Sequence, residues 1–402
     1  MAGGNGKAFG RRVAFHRKKL GYSQREFAAV LDRSETWLSQ VERGVRKIDR
    51  MSVLERLAVA LGVPLPELAP EQKVVAASSE APKAATTLSL ALSSSEALGA
   101  VLSDAHSVDL DRLDAGSERA WEYAHGSRYD DLAGLLVDLL PDLERAERQT
   151  DAEAHRRACV AKARAYHAAA GVLSKLGETA AAWVAVDRAI HAADEAGDPL
   201  LMAEGAFRLS IVFQATRRFD LAMRAAASAA EAIAGLAADG DPAAVAVRGA
   251  LHLQLAVAAS RINEGDAAYR YLDTARRAGE QLGEDRNDYN TEFGPTNVLL
   301  HEVAVAVELG DAGRAVRVAA RADAARLSPE RQARLLIEVA RAHAQLRESD
   351  AVVSSLREAM RIAPEQVEAS ARVRDLVADL VRAGRGMSPE VQELASRLKV
   401  DT

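Results

Sequence analysis

Five short breaks recur between residues 171 and 356 of this 402-residue chain: GVLSKLGETAAAW, FQATRRFDLAMRA, SRINEGDAAYRYL, VELGDAGRAVRVA and AQLRESDAVVSSL. Aligned on Ala182, Ala222, Ala268, Ala315 and Val352, they fall 40, 46, 47 and 37 residues apart. Each reads as the turn of a helical hairpin followed by a second helix with a small residue at its close-packed position. Such a hairpin leaves an apolar face that only a neighbouring hairpin can cover, so the units must stack. Composition points the same way. Hydrophobic residues make up 49% of the chain but aromatics only 4%, which leaves the packing to alanine and leucine and favours closely spaced helices over a sheet. The fold class expected is all-α.

Charge separates the front of the chain from this body. The net charge is -6, yet residues 1–70 hold 13 Lys/Arg against 7 Asp/Glu, a balance of +6 that leaves -12 for the remainder. The N-terminal part alone is built to approach a polyanion. A first helix is expected from about Lys7 to Leu20, carrying Arg11, Arg12, Arg17, Lys18 and Lys19, with Gly21 ending it. The glycines of AGGNGKAFG read as a flexible start, and His16 as a surface or phosphate-proximal residue. In YSQREFAAVLDRSETWLSQVERG, Ser23 caps a second helix and Glu26 completes a capping box. Asp32, Arg33 and Ser34 form the break. Ser34 caps a third helix to about Glu42, with Trp37, Leu38 and Val41 inward and Gly44 as its stop. MSVLERLAVALGVPLPEL supplies a fourth helix and a short fifth. Two short helices joined by a tight turn form a helix-turn-helix, whose second helix can enter a major groove. Spacing and charge alone also fit a small bundle that binds protein or dimerises.

LGYSQREFAAVLDRSETWLSQVERG, followed by LERLAVALGV, resembles the phage-repressor or xenobiotic-response-element type of helix-turn-helix over residues 10–70. That resemblance implies roles for single residues. Gln24 would bond a backbone phosphate. Glu35, Thr36 and Gln40 would face bases: Glu35 accepting from a cytosine amino group, Thr36 packing on a thymine methyl, Gln40 pairing with adenine. Arg43, Arg46, Lys47 and Arg50 would contact phosphates. Arg17 and Glu42 would form an ion pair bracing the first helix against the third. Such domains often place a proline where this chain has Ile48 and Asp49.

The domains read as 1–70, the helix-turn-helix bundle of four or five helices; 71–116, a linker with short helices; 117–386, a helical solenoid with repeats clearest from 150; and 387–402, a capping helix and tail. The solenoid resembles degenerate tetratricopeptide repeats, with Pro364 after the last unit. The combination is similar to actinobacterial, Streptomyces-type regulators of specialised metabolism or development, and EFGPTNVLLHEVAVAVELGDAGRAV carries that likeness most strongly.

A solenoid's concave face suits a peptide, a partner helix or a small effector. Asn287, Asn290, Glu292, Asn297 and His301 are the candidate ligand contacts, the competing reading being that they cap helices and satisfy a long loop. Enzymatic chemistry is not expected. His301-Glu302 lacks the second histidine of a zinc-protease motif, since position 305 is Val305, and no metal or cofactor site is assigned. The single cysteine, Cys159, stands four residues after His155 on an alanine-rich helix and reads as buried. With no signal segment and no uninterrupted apolar run of spanning length, the expectation is a cytoplasmic protein without a membrane partner. The function expected is a DNA-binding transcription regulator, reading a palindrome as a homodimer, with an effector-sensing or dimerising solenoid. The competing class is an adaptor whose repeats recruit a partner and whose front bundle binds protein.

Overall fold

The structure, a computed structural model, describes residues 4–31, 33, 35–45, 57, 58, 60, 61, 63, 68, 82–93, 109–148, 151–383 and 388–400. The chain forms two compact units, Met1–Glu80 and Ala81–Thr402. The described residues of both are helical, apart from turns and one isolated β-bridge between Arg286 and Phe293.

In the first unit α1 (Gly4–Lys19), α2 (Gln24–Val30) and α3 (Glu35–Glu42) enclose Val13, Phe27, Leu31 and Leu38, with Leu57, Leu61 and Leu68 completing the core. Two expectations are corrected here. The glycine-rich start is helical from Gly4, and Gly10 lies so close to α3 that a Cβ would collide with the carbonyl oxygens of Val41 and Glu42. His16 is 8% exposed, because positions 13, 16 and 17 share the inner face of α1.

The second unit opens with α4 (Lys83–Ala91), inside the span expected to be a linker with short helices. α5 (Leu110–His125) and α6 (Tyr129–Ala146) come next. Hairpins then follow in order: α7 (Ala152–Leu176) with α8 (Thr179–Glu195), and α9 (Pro199–Ala215) with α10 (Phe219–Ala232). After the short α11 (Ala234–Ala238) come α12 (Pro242–Arg261) with α13 (Gly265–Leu282), α14 (Pro295–Glu308) with α15 (Ala312–Ala319), and α16 (Pro329–Leu346) with α17 (Ser349–Ile362). α18 (Pro364–Ala369), α19 (Ala371–Ala383) and α20 (Pro389–Arg397) close the unit.

The first helix of each hairpin packs on the first helix of the next, so α7, α9, α12, α14 and α16 form an inner row. An inner helix is covered from several sides and shows no single apolar stripe. In α12 every residue from Ala244 to Ser260 is buried except Arg248 and His252. That helix is long and apolar enough to cross a membrane by length and composition, but it is mostly buried in this unit. An outer helix keeps one stripe, as α13 does with Ala268, Leu272, Ala275 and Gly279.

One turn recurs at every hairpin. Gly177, Arg217, Asn263, Gly310 and Arg347 are left-handed, with φ between 59° and 86°. The N–H after each donates to the carbonyl five residues back, from Glu178 to Leu173, Arg218 to Phe213, Glu264 to Ala259, Asp311 to Ala306 and Glu348 to His343, at 2.8 to 3.0 Å. This bond satisfies a carbonyl that the ended helix leaves open and reverses the chain. Five residues after each left-handed position stands Ala182, Ala222, Ala268, Ala315 or Val352, the fourth residue of its helix and at most 1% exposed.

The stack also closes on itself, since α5 touches α16 and α7 touches α18. Glu365 on α18 accepts from the amides of Tyr129 and Asp130 at 2.7 and 3.0 Å, capping α6 from far along the chain. Ser127 Oγ donates to Gln366 Oε1 at 2.8 Å, and Lys175 Nζ meets Glu330 at 3.2 Å.

A left-handed arginine is strained by its Cβ, whereas glycine is not. Arg347→Gly is therefore expected to stabilise the protein by about 0.5–1 kcal/mol, and Gly177→Ala to destabilise it by about 1 kcal/mol, in urea unfolding followed by circular dichroism. A loss of stability in Arg347→Gly would contradict this account of the turn.

Candidate nucleic-acid interface

The helix pair of the first unit is set by local signals. Ser23 Oγ accepts from the Glu26 amide at 3.2 Å and the Glu26 carboxylate accepts from the Ser23 amide at 2.8 Å, the reciprocal box that the spacing predicts. α1 ends at Gly21 and α3 at Gly44, both left-handed. The Tyr22 and Val45 amides then return to the carbonyls of Arg17 and Gln40.

The three helices are locked through one carboxylate. Glu42 accepts from Arg17 Nε at 2.5 Å, Arg17 Nη2 at 3.0 Å and Gln24 Nε2 at 2.6 Å, while Arg17 Nη1 donates to the Tyr22 carbonyl at 2.6 Å. The Arg17 and Glu42 side chains are 7% and 6% exposed. Hydrogen bonding to Glu42 raises the Arg17 pKa above its ordinary value, so the guanidinium keeps its charge. A planar fork that meets a carboxylate and a carbonyl together has no equivalent in lysine.

This lock and the core fix which side of α3 faces out. Leu38 and Val41 are fully buried, and Trp37 is half-buried against the core with the Arg33 guanidinium 5.8 Å from its ring. Glu35 and Thr36 are exposed and Gln40 is half-exposed. Arg43 is exposed too, with its Nε donating to the Ser39 carbonyl at 3.2 Å. Lys18, Lys19 and Arg25 add exposed positive charge. Ser34, Arg46, Lys47 and Arg50, with Ile48 and Asp49, lie outside the described residues. Gln24, assigned to a phosphate by resemblance, has its amide on Glu42. Residue types alone carry no signal for that internal bond.

The five solenoid candidates gather on one loop and the start of α14. Asn287 Oδ1 accepts from the Glu292 amide at 3.2 Å, and Asn297 Nδ2 donates to the Glu292 carbonyl at 2.5 Å. The Asn290 carbonyl accepts from Arg208 at 2.7 Å, and the Glu292 carboxylate lies 3.2 Å from Arg331. His301 is 1% exposed and bonds the Asn297 carbonyl at 2.9 Å through Nδ1, which must be the donor there. Burial pushes its pKa well below the ordinary value, so the ring is neutral. Asn297 and His301 are thus internal, whereas Asn290 and Glu292 border a cavity.

Cys159 is fully buried, with Sγ 3.5 Å from His155 Nε2. Burial pushes the thiol up to about 11, so the sulfur stays protonated and is no nucleophile at neutral pH. Among the described residues no group of three or more His, Cys, Asp or Glu is placed to hold a metal ion.

Over residues 8–70 the chain matches the family described as a helix-turn-helix domain. No curated protein and no solved structure matches the chain. The matched domain is a DNA-binding and not a catalytic module, and it supports a DNA-binding regulatory function.

Glu42→Ala leaves a buried guanidinium without its carboxylate and is expected to cost about 3–5 kcal/mol of domain stability in thermal unfolding. An effect within about 0.5 kcal/mol would show that the pair is not what holds α1 and α3 together. The native Cys159 thiol is expected to resist alkylation at about pH 8 and to react fully in denaturant; rapid native modification would overturn its assignment as buried and protonated.

Proposed function

We propose that this protein is a sequence-specific transcription regulator that acts as a homodimer on a palindromic operator in double-stranded DNA. α3 is the reading helix. The observation that carries the proposal is the sidedness of α3: Leu38, Val41 and the Glu42 lock hold one side, Thr36 and Gln40 are left on the other, and Glu35 is exposed at the start of the helix. Gln40 pairs with adenine, Thr36 meets a thymine methyl and Glu35 accepts from cytosine. Arg43, with Arg46, Lys47 and Arg50, contacts phosphates and contributes affinity without sequence preference. Gln24 reaches a phosphate with the amide hydrogen that Glu42 does not use. Arg17 and Glu42 orient the reading helix without touching bases.

The second unit is a tetratricopeptide-like solenoid that dimerises the protein and senses an effector, so that operator occupancy answers to a signal. The repeated left-handed turn and the inner row of helices support that reading. A dimer follows from the short reach of one recognition helix, since two are needed for both halves of a palindrome. The setting is the bacterial cytoplasm, in an actinobacterial regulator of specialised metabolism or development.

The test is selection of bound genomic fragments by the full-length protein and by Gln40→Ala. The wild type is expected to enrich an inverted motif, and the variant to lose about 1–3 kcal/mol of discrimination at one position in each half. Arg43→Gln is expected to weaken all sequences alike and to reduce the salt slope by about one. If the wild type enriches no motif at moderate salt, direct operator reading is wrong and an adaptor role takes its place.

A further inference from the structure

Closure of the solenoid leaves a cavity of about 500 Å³ inside the second unit. The inner-row helices α7, α9, α12 and α16 supply most of its wall, with α5, the Asn290–Glu292 loop, α18 and the start of α19 completing it. A chain of net charge -6 places seven cationic side chains and three carboxylates on this wall. The cations are Lys175, Arg208, Arg261, Arg331 and Arg334, joined by Arg372 and Arg374. The carboxylates are Glu292, Glu330 and Glu338. Glu204 and Glu308 stand behind Arg208 and Arg261, at 3.3 and 3.7 Å. His125 adds no charge, since burial lowers its pKa.

Several donors on this wall have no acceptor. Trp121 Nε1, Arg208 Nε, Gln254 Nε2 and Arg261 Nε are buried without a hydrogen-bond partner, on residues from three different helices. Trp121, Arg208 and Gln254 are 6%, 6% and 3% exposed. Arg334 has only a 3.5 Å contact with the neutral His301 ring, and among the described residues no carboxylate lies within ion-pair distance of it. Burial and the neighbouring Arg331 lower Arg334 to about 10. Buried polar groups are nearly always satisfied, so a wall with more cations than carboxylates and with buried donors left open calls for a ligand that brings negative charge and acceptor atoms.

Strain collects at the same rim. Tyr289, Asn290 and Glu292 have φ of 48°, 53° and 48°, in the left-handed region that tyrosine and glutamate rarely adopt. The loop is held in that shape by Phe293, fully buried against Gly249, and by the Tyr289 hydroxyl, 3.1 Å from Asp198. Its Asn290 carbonyl fixes Arg208 and its Glu292 carboxylate fixes Arg331. The larger groove, lined by α17 and α20, lacks these features. Its arginines pair on the surface, Arg361 with Glu358 and Arg357 with Glu393.

We propose that this cavity binds a small organic anion bearing two or more oxyanion groups, carboxylate or phosphate, held by Arg334, Arg261 and Arg372. Trp121, Arg208 and Gln254 supply the donors that complete its recognition. This deepens the reading of the solenoid as an effector sensor and rests on it.

The experiment is calorimetric titration of the full-length protein with citrate and, separately, pyrophosphate, at constant ionic strength, with thermal unfolding in parallel. Saturable binding of at least one probe is expected, together with a rise in Tm that sodium chloride of equal ionic strength does not reproduce. The tighter of the two tells carboxylate from phosphate. Arg334→Gln and the exposed Arg372→Gln are each expected to raise Kd about tenfold or more, with Arg361→Gln on the outer surface unchanged. Arg372→Gln keeps the test valid if Arg334→Gln does not fold. The proposal is overturned if neither probe saturates by about 10 mM, if both folded variants bind like the wild type, or if sodium chloride gives the same shift. Operator affinity is then measured with and without the bound probe. Binding that leaves DNA affinity unchanged keeps the anion site and removes the sensor reading.

Discussion

The left-handed residue that ends each inner helix governs the second unit. It directs the following amide back onto a carbonyl that the helix leaves open, and so reverses the chain in a fixed way at Gly177, Arg217, Asn263, Gly310 and Arg347. The fixed reversal brings a small residue, four into the next helix, against its partner. Ala182, Ala222, Ala268 and Ala315 fill that position, with Val352 at the last hairpin. Close approach within each hairpin leaves the first helices free to pack on one another. The inner row and the cavity beside it follow from that repetition.

The first unit uses the same ending for a different purpose. Gly21 and Gly44 terminate α1 and α3 with left-handed turns, but no repeat follows. Here Glu42 ties Arg17, Gln24 and, through Arg17, the Tyr22 carbonyl into one cluster. A buried ion pair contributes little net stability over an apolar pair of similar shape, yet it strongly disfavours arrangements in which one partner is left alone. That property suits a helix whose orientation matters more than its stability, because it fixes where Glu35, Thr36 and Gln40 project.

Much of this was legible in the residues. The Ser23–Glu26 box needs only a spacing of three, and the five hairpins revealed themselves by small residues after a polar break. Arginine at Arg217 and Arg347 gave no sign of a left-handed turn, because arginine does not favour that conformation and the surrounding packing imposes it. Gly10 read as part of a loose start, since a glycine required by a neighbouring carbonyl looks in sequence like one that merely permits motion. The five polar candidates around Asn290 were found by their density in a loop. Arg208, Arg261 and Arg334 carry no such signal, since a charged residue on a helix ordinarily faces water.

By itself the sequence determined the elements: alanine-rich helices, their caps, the basic front, the acidic body and a third helix with its apolar side marked by Leu38 and Val41. These are local properties, set by side-chain size, propensity and the 3.6-residue period. Only the tertiary structure decided what the inner row encloses. Glu365 reaches the amides of Tyr129 and Asp130, and Gln366 meets Ser127, across more than half of the chain. That closure gathers arginines of separate helices, each unremarkable beside its sequence neighbours, onto one wall where cations exceed carboxylates. Coulombic crowding depends on distance in space, and no spacing along the chain encodes it.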